Sequence, residues 1–270
     1  MERGDAIIAV GGGVTGDLAG FAAAIYKRGI DVVQVPTTLL AMVDSSVGGK
    51  TAINMAQGKN LIGVFHQPAS VIADTGFLET LPERETLAGY AEILKAALIG
   101  DAGLFDHLQK KGANAASSDQ VAGLIVEAVR FKSRIVAADE RESGVRALLN
   151  MGHTFGHALE SESAGQLLHG EAVAAGLALA FDYSVRLKHC PPEAAEAVKR
   201  HLDQMGLEYR LARLHGAPYS AEAMLDRMRH DKKNSGGYIR LILARGIGDA
   251  FIHDQTDPAD LLTFLKDTIQ

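Results

Sequence analysis

Cysteine is almost missing from this chain of 270 residues: Cys190 stands alone. One thiol cannot build an intrachain disulfide framework or a thiolate-rich metal site, so histidine and carboxylate are the strong metal ligands available. Long apolar runs are missing as well. No stretch of eighteen apolar residues occurs and the N-terminus lacks the basic-then-apolar pattern of a signal peptide, so nothing argues for a membrane or for export and the cytoplasm is the expected home. Positive charge is not in excess either. Lysine and arginine number 27 against 33 aspartates and glutamates, a formal charge of −6, which disfavours nucleic acid as a partner because phosphates demand a basic face. An acidic small substrate stays open, since a few converging cations can dominate one cleft.

What is present is a 47% apolar chain able to bury a sizeable core, as one large domain or two moderate ones. No internal repeat or low-complexity linker divides it. Before residue 80, short apolar runs alternate with small-residue helical stretches. Ala6–Val10 reads as a buried strand, Gly11–Gly16 as a turn, Asp17–Tyr26 as a helix and Val32–Pro36 as the next strand. That is βαβ grammar, which implies a parallel sheet. After Leu81-Pro82 the pattern predicts helices near 83–99, 119–138, 152–163, 170–188, 192–205 and 257–269, with Tyr238–Leu243 the one extended segment of this half. The expected fold is α/β followed by mostly α, with domains at 1–80 and 81–270 that pack directly and leave a cleft for a ligand. The chain opens almost directly on a strand and its glycine turn, so the α/β domain reads as shortened.

Gly11-Gly-Gly-Val-Thr-Gly-Asp17 follows a strand and opens a helix, where backbone N–H groups and the helix N-terminus favour phosphate. The acid that should close the next strand of an ordinary Rossmann fingerprint is not there; Asp31 opens that strand instead. The turn therefore reads as the phosphate cradle of an unusual dinucleotide site, against the alternative of a tight turn that binds nothing. Asp44 to Thr51 ends like a Walker A loop, but Asp44 occupies the position of its first glycine, so that reading is rejected. What survives is a flexible Gly48-Gly49 turn that delivers Lys50, nine residues ahead of Lys59-Asn60.

The densest chemistry lies between Asn150 and Glu171. His153 and His157 are four apart and share one face of a helix, and His169 arrives after a small-residue turn. Each alone would read as a surface or satisfied core histidine; three within seventeen residues point to a first-row metal. Thr154 stands where a zinc protease would carry its general base, so these residues do not read as a protease. A catalytic zinc takes three protein ligands and keeps one position open. Glu92, Glu160 and Glu171 are the candidate carboxylates, and spacing does not choose among them.

Taken in order, the glycine turn, Val35–Leu40, Val43–Thr51, Gly58–Asn60, Ala91–Lys95, Asp139–Glu142, Arg146–Asn150, Gly152–His157, Leu168–Glu171 and Asp231–Lys233 resemble the 3-dehydroquinate synthases of the shikimate pathway, within the sugar phosphate cyclases. The resemblance runs from Gly11 to the C-terminus, and its specificity lies in the combination of motifs. It implies a Rossmann-like NAD domain, shortened here, and a helical domain for metal and substrate. Glu92, His153 and His169 match the metal ligands, for zinc or cobalt, and His157 becomes a proton-relay histidine beside the substrate. Lys50, Lys95, Lys132, Glu142, Arg146 and Asn150 match catalytic positions. Asp44, Lys59, Asn60, Lys232 and Lys233 match substrate contacts. Arg28 matches an arginine that reaches the neighbouring subunit's site, which implies a homodimer. Gly13, Val14, Thr15, Gly16, Asp17, Thr37, Thr38, Lys50, Lys59, Phe77, Leu78, Glu79 and Thr80 match cofactor contacts.

The implied reaction turns 3-deoxy-D-arabino-heptulosonate 7-phosphate into 3-dehydroquinate and phosphate. NAD takes a hydride and later returns it, phosphate leaves in between, and an aldol closure makes the ring. Such a substrate carries a carboxylate and a phosphate, which calls for converging lysines and arginines. The family's opening segment grips the adenosine end of the nucleotide. Without it the chain is expected to keep its metal site and bind NAD weakly. The alternatives are another sugar phosphate cyclase, a metal-dependent alcohol dehydrogenase with the same glycine turn, or an impaired fragment that retains the metal site. Lys132, Arg146 and Asn150 argue for the carboxylate-bearing substrate, and the full residue inventory argues for an enzyme.

Overall fold

The structure, a computed structural model, describes residues 2–55, 58–112, 118–229 and 238–269. The chain divides into two compact units. The first comprises Met1–Ile93 with Ala116–Arg146, and the second Leu94–Ala115 with Ala147–Gln270.

In the first unit, β1 (Ala6–Gly11) and β2 (Asp31–Pro36) pair in parallel, Ala6 opposite Asp31 through Gly11 opposite Pro36. The crossover between them is α1 (Gly13–Ile25), as the βαβ pattern requires. The helix starts four residues earlier than the sequence suggested, so the glycine-rich turn is its first turn. Small residues are what let α1 lie so close to the strands. A Cβ on Gly16 would sit 2.6 Å from the Gln34 side chain, which donates from Nε2 to the Gly16 carbonyl at 3.1 Å.

Ala9, Ala23, Ile30 and Val32 form the small core of this layer. Strand β1 was expected to be buried throughout. Instead Ile8 and Val10 are 66% and 55% exposed, because α1 covers one face of the pleat and alternate side chains point to the other. The order continues through a π-helical turn at Ala41–Ser45, an antiparallel hairpin of β3 (Lys50–Met55) and β4 (Gly58–Phe65), and the short β5 (Ser70–Val71), which pairs with β2. The expected flexible segment around Lys50 is thus the start of a hairpin. A 3-10 turn at Thr75–Thr80 leads into α2 (Glu83–Gly100), a helix whose residues belong to both units. Two further helices follow, α3 (Ala102–Lys111) in the second unit and α4 (Ser118–Ala138) in the first.

The second unit is built around α6 (His169–Arg186), whose middle is buried on all sides. Helix α5 (His153–Glu162) packs on it at nearly backbone contact: a Cβ on Gly176 would lie 2.0 Å from the Gly152 carbonyl oxygen. Around this pair stand α7 (Pro192–Met205), α8 (Ala221–Arg229), the antiparallel hairpin β6 (Ile239–Gly246) and β7 (Asp249–Thr256), and α9 (Pro258–Ile269). The six predicted helices all form. Helices α3 and α8 and strand β7 were not foreseen; β7 is mostly polar, and it is recruited by β6 through a two-residue Ile247-Gly248 turn. No described helix is long and apolar enough to cross a membrane.

Candidate functional site

Gly13, Val14 and Thr15 open α1, where the first N–H groups of a helix and its dipole favour a phosphate. The Thr37 amide donates to the Gly11 carbonyl at 2.9 Å, and a Cβ on Gly12 would lie 3.2 Å from Thr38 Cγ2. The cofactor candidates from Gly13 to Asp17 and at Thr37 and Thr38 therefore share one corner of the first unit. Phe77 to Thr80 occupy the 3-10 turn, which Asp74 caps by accepting from the Gly76 amide at 2.9 Å. Arg28 lies on the exposed Tyr26–Arg28 turn with its backbone at φ +70°.

Next to that corner, Lys132 of α4 reaches the π-helical turn. Its ammonium donates to Asp44 Oδ1 at 2.7 Å and to the Asp44 carbonyl at 2.6 Å. Asp17 feels the same pair: burial, then the Asp44 charge, push its carboxyl up to about 6, with Lys132 pulling it partly back. A carboxyl so placed can carry a proton close to neutrality.

A second ion pair joins Lys50, the first residue of β3, to Glu142. Gly48 and Gly49, at φ +102° and +68°, turn the chain so that Lys50 enters the strand facing it. Arg146 was grouped by the sequence with residues that meet substrate. Here its side chain is 1% exposed. Its guanidinium donates through Nη2 to the Gly48 carbonyl at 2.8 Å and through Nη1 to the Glu140 carbonyl, over the face of Phe65.

The second unit holds the histidines. His153 and His169 are the first residues of α5 and α6, and the close packing of those helices brings their rings to 5.2 Å between centroids, with His157 at 5.4 Å from His153 and 6.1 Å from His169. The Nδ1 of His153 lies 3.2 Å from the Met151 carbonyl. That of His169 lies 3.3 Å from Glu160 Oε2. With Nδ1 of each ring turned to the protein, Nε2 is the nitrogen each can offer a metal, and a set of imidazoles with a carboxylate suits zinc and its neighbours. His157, Glu160 and His169 also carry donor atoms within 4.8 Å of one another.

The three carboxylates left open by the sequence differ in their surroundings. Glu171 accepts from the Leu168 amide at 2.8 Å and so caps α6. Glu160 faces His169, and Glu92 is buried on α2. Asn150 donates to the Ala147 carbonyl at 3.1 Å, one turn before His153. Lys95 is buried one turn after Glu92 on the same helix. Lys59 and Asn60 lie on β4, with their side chains outside the described residues, and Lys232 and Lys233 lie outside them altogether.

Two residues with clear geometric roles had none in the sequence reading. Asp139 was quoted within a motif without a task; its signal was the Ser143-Gly144 pair a turn further on, the pattern of a side-chain-closed loop. The Met151 carbonyl leaves no trace in side-chain chemistry.

The family described as 3-dehydroquinate synthase N-terminal matches residues 1–88, and its C-terminal counterpart matches residues 89–234. The 3-dehydroquinate synthase of Rhodospirillum rubrum is 54% identical over 271 residues, spanning 98% of this chain and 70% of that protein. Among solved structures, 2-epi-5-epi-valiolone synthase from Streptomyces hygroscopicus subsp. jinggangensis, with NAD+ and Zn2+ bound, superposes with a TM-score of 0.87 at 31% identity, over 97% of this chain and 72% of that one. A 2-deoxy-scyllo-inosose synthase in complex with carbaglucose-6-phosphate, NAD+ and Co2+ gives 0.86 at 31% identity, over 100% and 74%. With both family segments matched in order and such identity over nearly its whole length, the chain belongs to the 3-dehydroquinate synthase family.

Proposed function

We propose that this chain is a carbon–oxygen lyase that converts 3-deoxy-D-arabino-heptulosonate 7-phosphate to 3-dehydroquinate and phosphate, with NAD and a zinc-class ion as cofactors. The observation that carries the reading is the histidine group: two rings at the starts of adjacent helices, each with Nδ1 turned to the protein, and a third beside them. His153 and His169 would hold the metal together with Glu92, which is buried on the helix that runs from the first unit into the second. NAD would rest its phosphates on the start of α1, with Thr37, Thr38 and the Phe77–Thr80 turn alongside. When bound, NAD supplies reversible hydride acceptance and the metal supplies Lewis acidity toward a hydroxyl and its neighbouring carbonyl.

The chain's own side chains do the rest. Lys50 keeps one N–H on Glu142 and has two more to offer an anionic oxygen of the substrate. Lys132, by holding Asp44, fixes that carboxylate to accept from a substrate hydroxyl. His157 carries the proton, being exposed and an imidazole, a side chain able both to accept and to donate one. Lys95, Asn150, Lys59, Asn60 and Lys232 or Lys233 complete the substrate contacts, and Arg28 would serve the partner's site in a homodimer. The nucleotide would be held by the first unit, which takes in residues 116–146 as well as 1–93 and so does not end at residue 80 as the sequence suggested, while His153 and His169 belong to the second. A substrate carrying both a carboxylate and a phosphate does not cross lipid unaided, so the enzyme would work where that substrate is made, which this reading takes to be the cytoplasm.

A second reading, a cyclase for a sugar phosphate that carries no carboxylate, has support from the two superposed structures. The 54% identical relative favours the first. Phosphate release measured with the heptulosonate phosphate and with sedoheptulose 7-phosphate separates them. Turnover of the former is expected, and turnover of only the latter sinks the proposal.

A further inference from the structure

We infer that Asp139 is a positioning residue, whose carboxylate folds the 139–146 turn so that Glu142 is held against Lys50. The inference rests on the reading above, in which Lys50 and Glu142 work as a pair. Asp139 follows the last residue of α4, where the helix dipole disfavours an anion, so helix stability does not explain it. Its oxygens are instead occupied by the turn. Oδ1 accepts from the Ser143 amide at 2.9 Å and the Ser143 hydroxyl at 3.2 Å. Oδ2 accepts from the amides of Gly144 at 2.7 Å and Arg146 at 3.0 Å. Those bonds hold the Asp139 carboxyl down at about 2, so the acceptor stays ionised at any pH at which an enzyme of this kind is assayed.

What the turn encloses is Glu142, at φ +58°. A non-glycine residue in the left-handed region is strained and persists only where its surroundings impose it. Glycine would relieve that strain but would give up the carboxylate that meets Lys50. The far side of the pair is fixed by the same brace. Arg146, whose amide Asp139 holds, reaches back to the Gly48 carbonyl two residues before Lys50. Gln67 Nε2 donates to Glu140 Oε1 at 3.0 Å. One carboxylate thus organises both approaches to the ion pair.

The test is a double-mutant cycle on the NAD- and zinc-loaded enzyme with the heptulosonate phosphate as substrate. Asp139→Asn is expected to lower kcat on the order of 10- to 100-fold, as misplacement of a working group does, with KM and zinc content within about threefold of wild type. In a Glu142→Gln background the same change should cost less than about twofold, because the group it positions is already gone. Ser143→Ala removes one of the four bonds and is the gentler variant if Asp139→Asn fails to fold; it should cost a few-fold in kcat and also lose its effect in the Glu142→Gln background. Equal losses in both backgrounds overturn the inference, since Asp139 would then act on stability alone. If Glu142→Gln itself turns over like wild type, the reading of Lys50 and Glu142 as a working pair falls and takes the inference with it.

Discussion

Replacing Glu160 by glutamine should weaken zinc binding without abolishing it. Glu160 Oε2 lies 3.3 Å from His169 Nδ1, in a pair whose side chains are 12% and 30% exposed. Glutamine keeps the size and one acceptor oxygen but loses the charge that fixes which nitrogen carries the proton. At an effective dielectric of about 20, full charges at that distance would attract by about 5 kcal/mol. That is a ceiling, because a metal-bound imidazole is formally neutral. Losing a carboxylate partner behind a ligating histidine typically costs about 10- to 100-fold in metal affinity, or about 1.4 to 2.8 kcal/mol. The assay is competition for zinc between the metal-free protein and a chromophoric chelator at pH 7.5, for Glu160→Gln and Glu92→Gln side by side. We expect Kd to rise within that range for Glu160→Gln and well beyond it for Glu92→Gln. The reverse order would make Glu160 a ligand with His157 and His169, and an unchanged Kd for Glu160→Gln would remove its orienting role.

Asp17 gives a pH-dependent prediction. Its carboxyl is raised from 3.8 to about 6 in the fold, so the folded state binds the proton more tightly than the unfolded chain. Stability from this group is complete below about pH 3.8 and is lost as pH rises through 6; Asp17→Asn should therefore raise the Tm relative to wild type at pH 7.5 and make no difference near pH 4, and a gain that persists at pH 4 would contradict the assignment. In the second unit, Gly176→Ala would press a methyl against the Gly152 carbonyl 2.0 Å away. Overpacking of this kind costs about 1–3 kcal/mol or more, and a thermal melt within 2 °C of wild type would show that α5 and α6 can part without cost.

The elements that carried strong periodicity were legible. Helices α2, α4 and α7 begin and end within two residues of where the sequence puts them, because each has an apolar stripe preceded by a proline or a serine. The π-helical turn, the β3–β4 hairpin and β7 were not, since their alternation is weak and tertiary pairing decides them. In the site, residue type nominated the histidines, yet helical spacing alone paired His153 with His157 and gave no hint that His169, sixteen residues on, lies nearer in space to His153 than His157 does. Only the packing of α5 on α6 produces that. Arg146 shows the opposite limit: its charge reads as a substrate contact, while its use of backbone carbonyls is invisible until the Gly48 turn is in place.

The chain passes between its two units three times, leaving the first within α2 and returning to it for α4 before leaving again after Arg146. During synthesis, then, the first unit begins to emerge before the second but is not whole until residue 146 is out. Until that point it lacks Lys132, Asp139 and Glu142, and with them the partners of Asp44 and Lys50. No single cut separates the two units cleanly, so a gene fusion or a proteolytic nick that treats the chain as two beads on a string would break at least one of them. The order in which the ribosome delivers the segments makes the charged pairs among the last parts of the first unit to form.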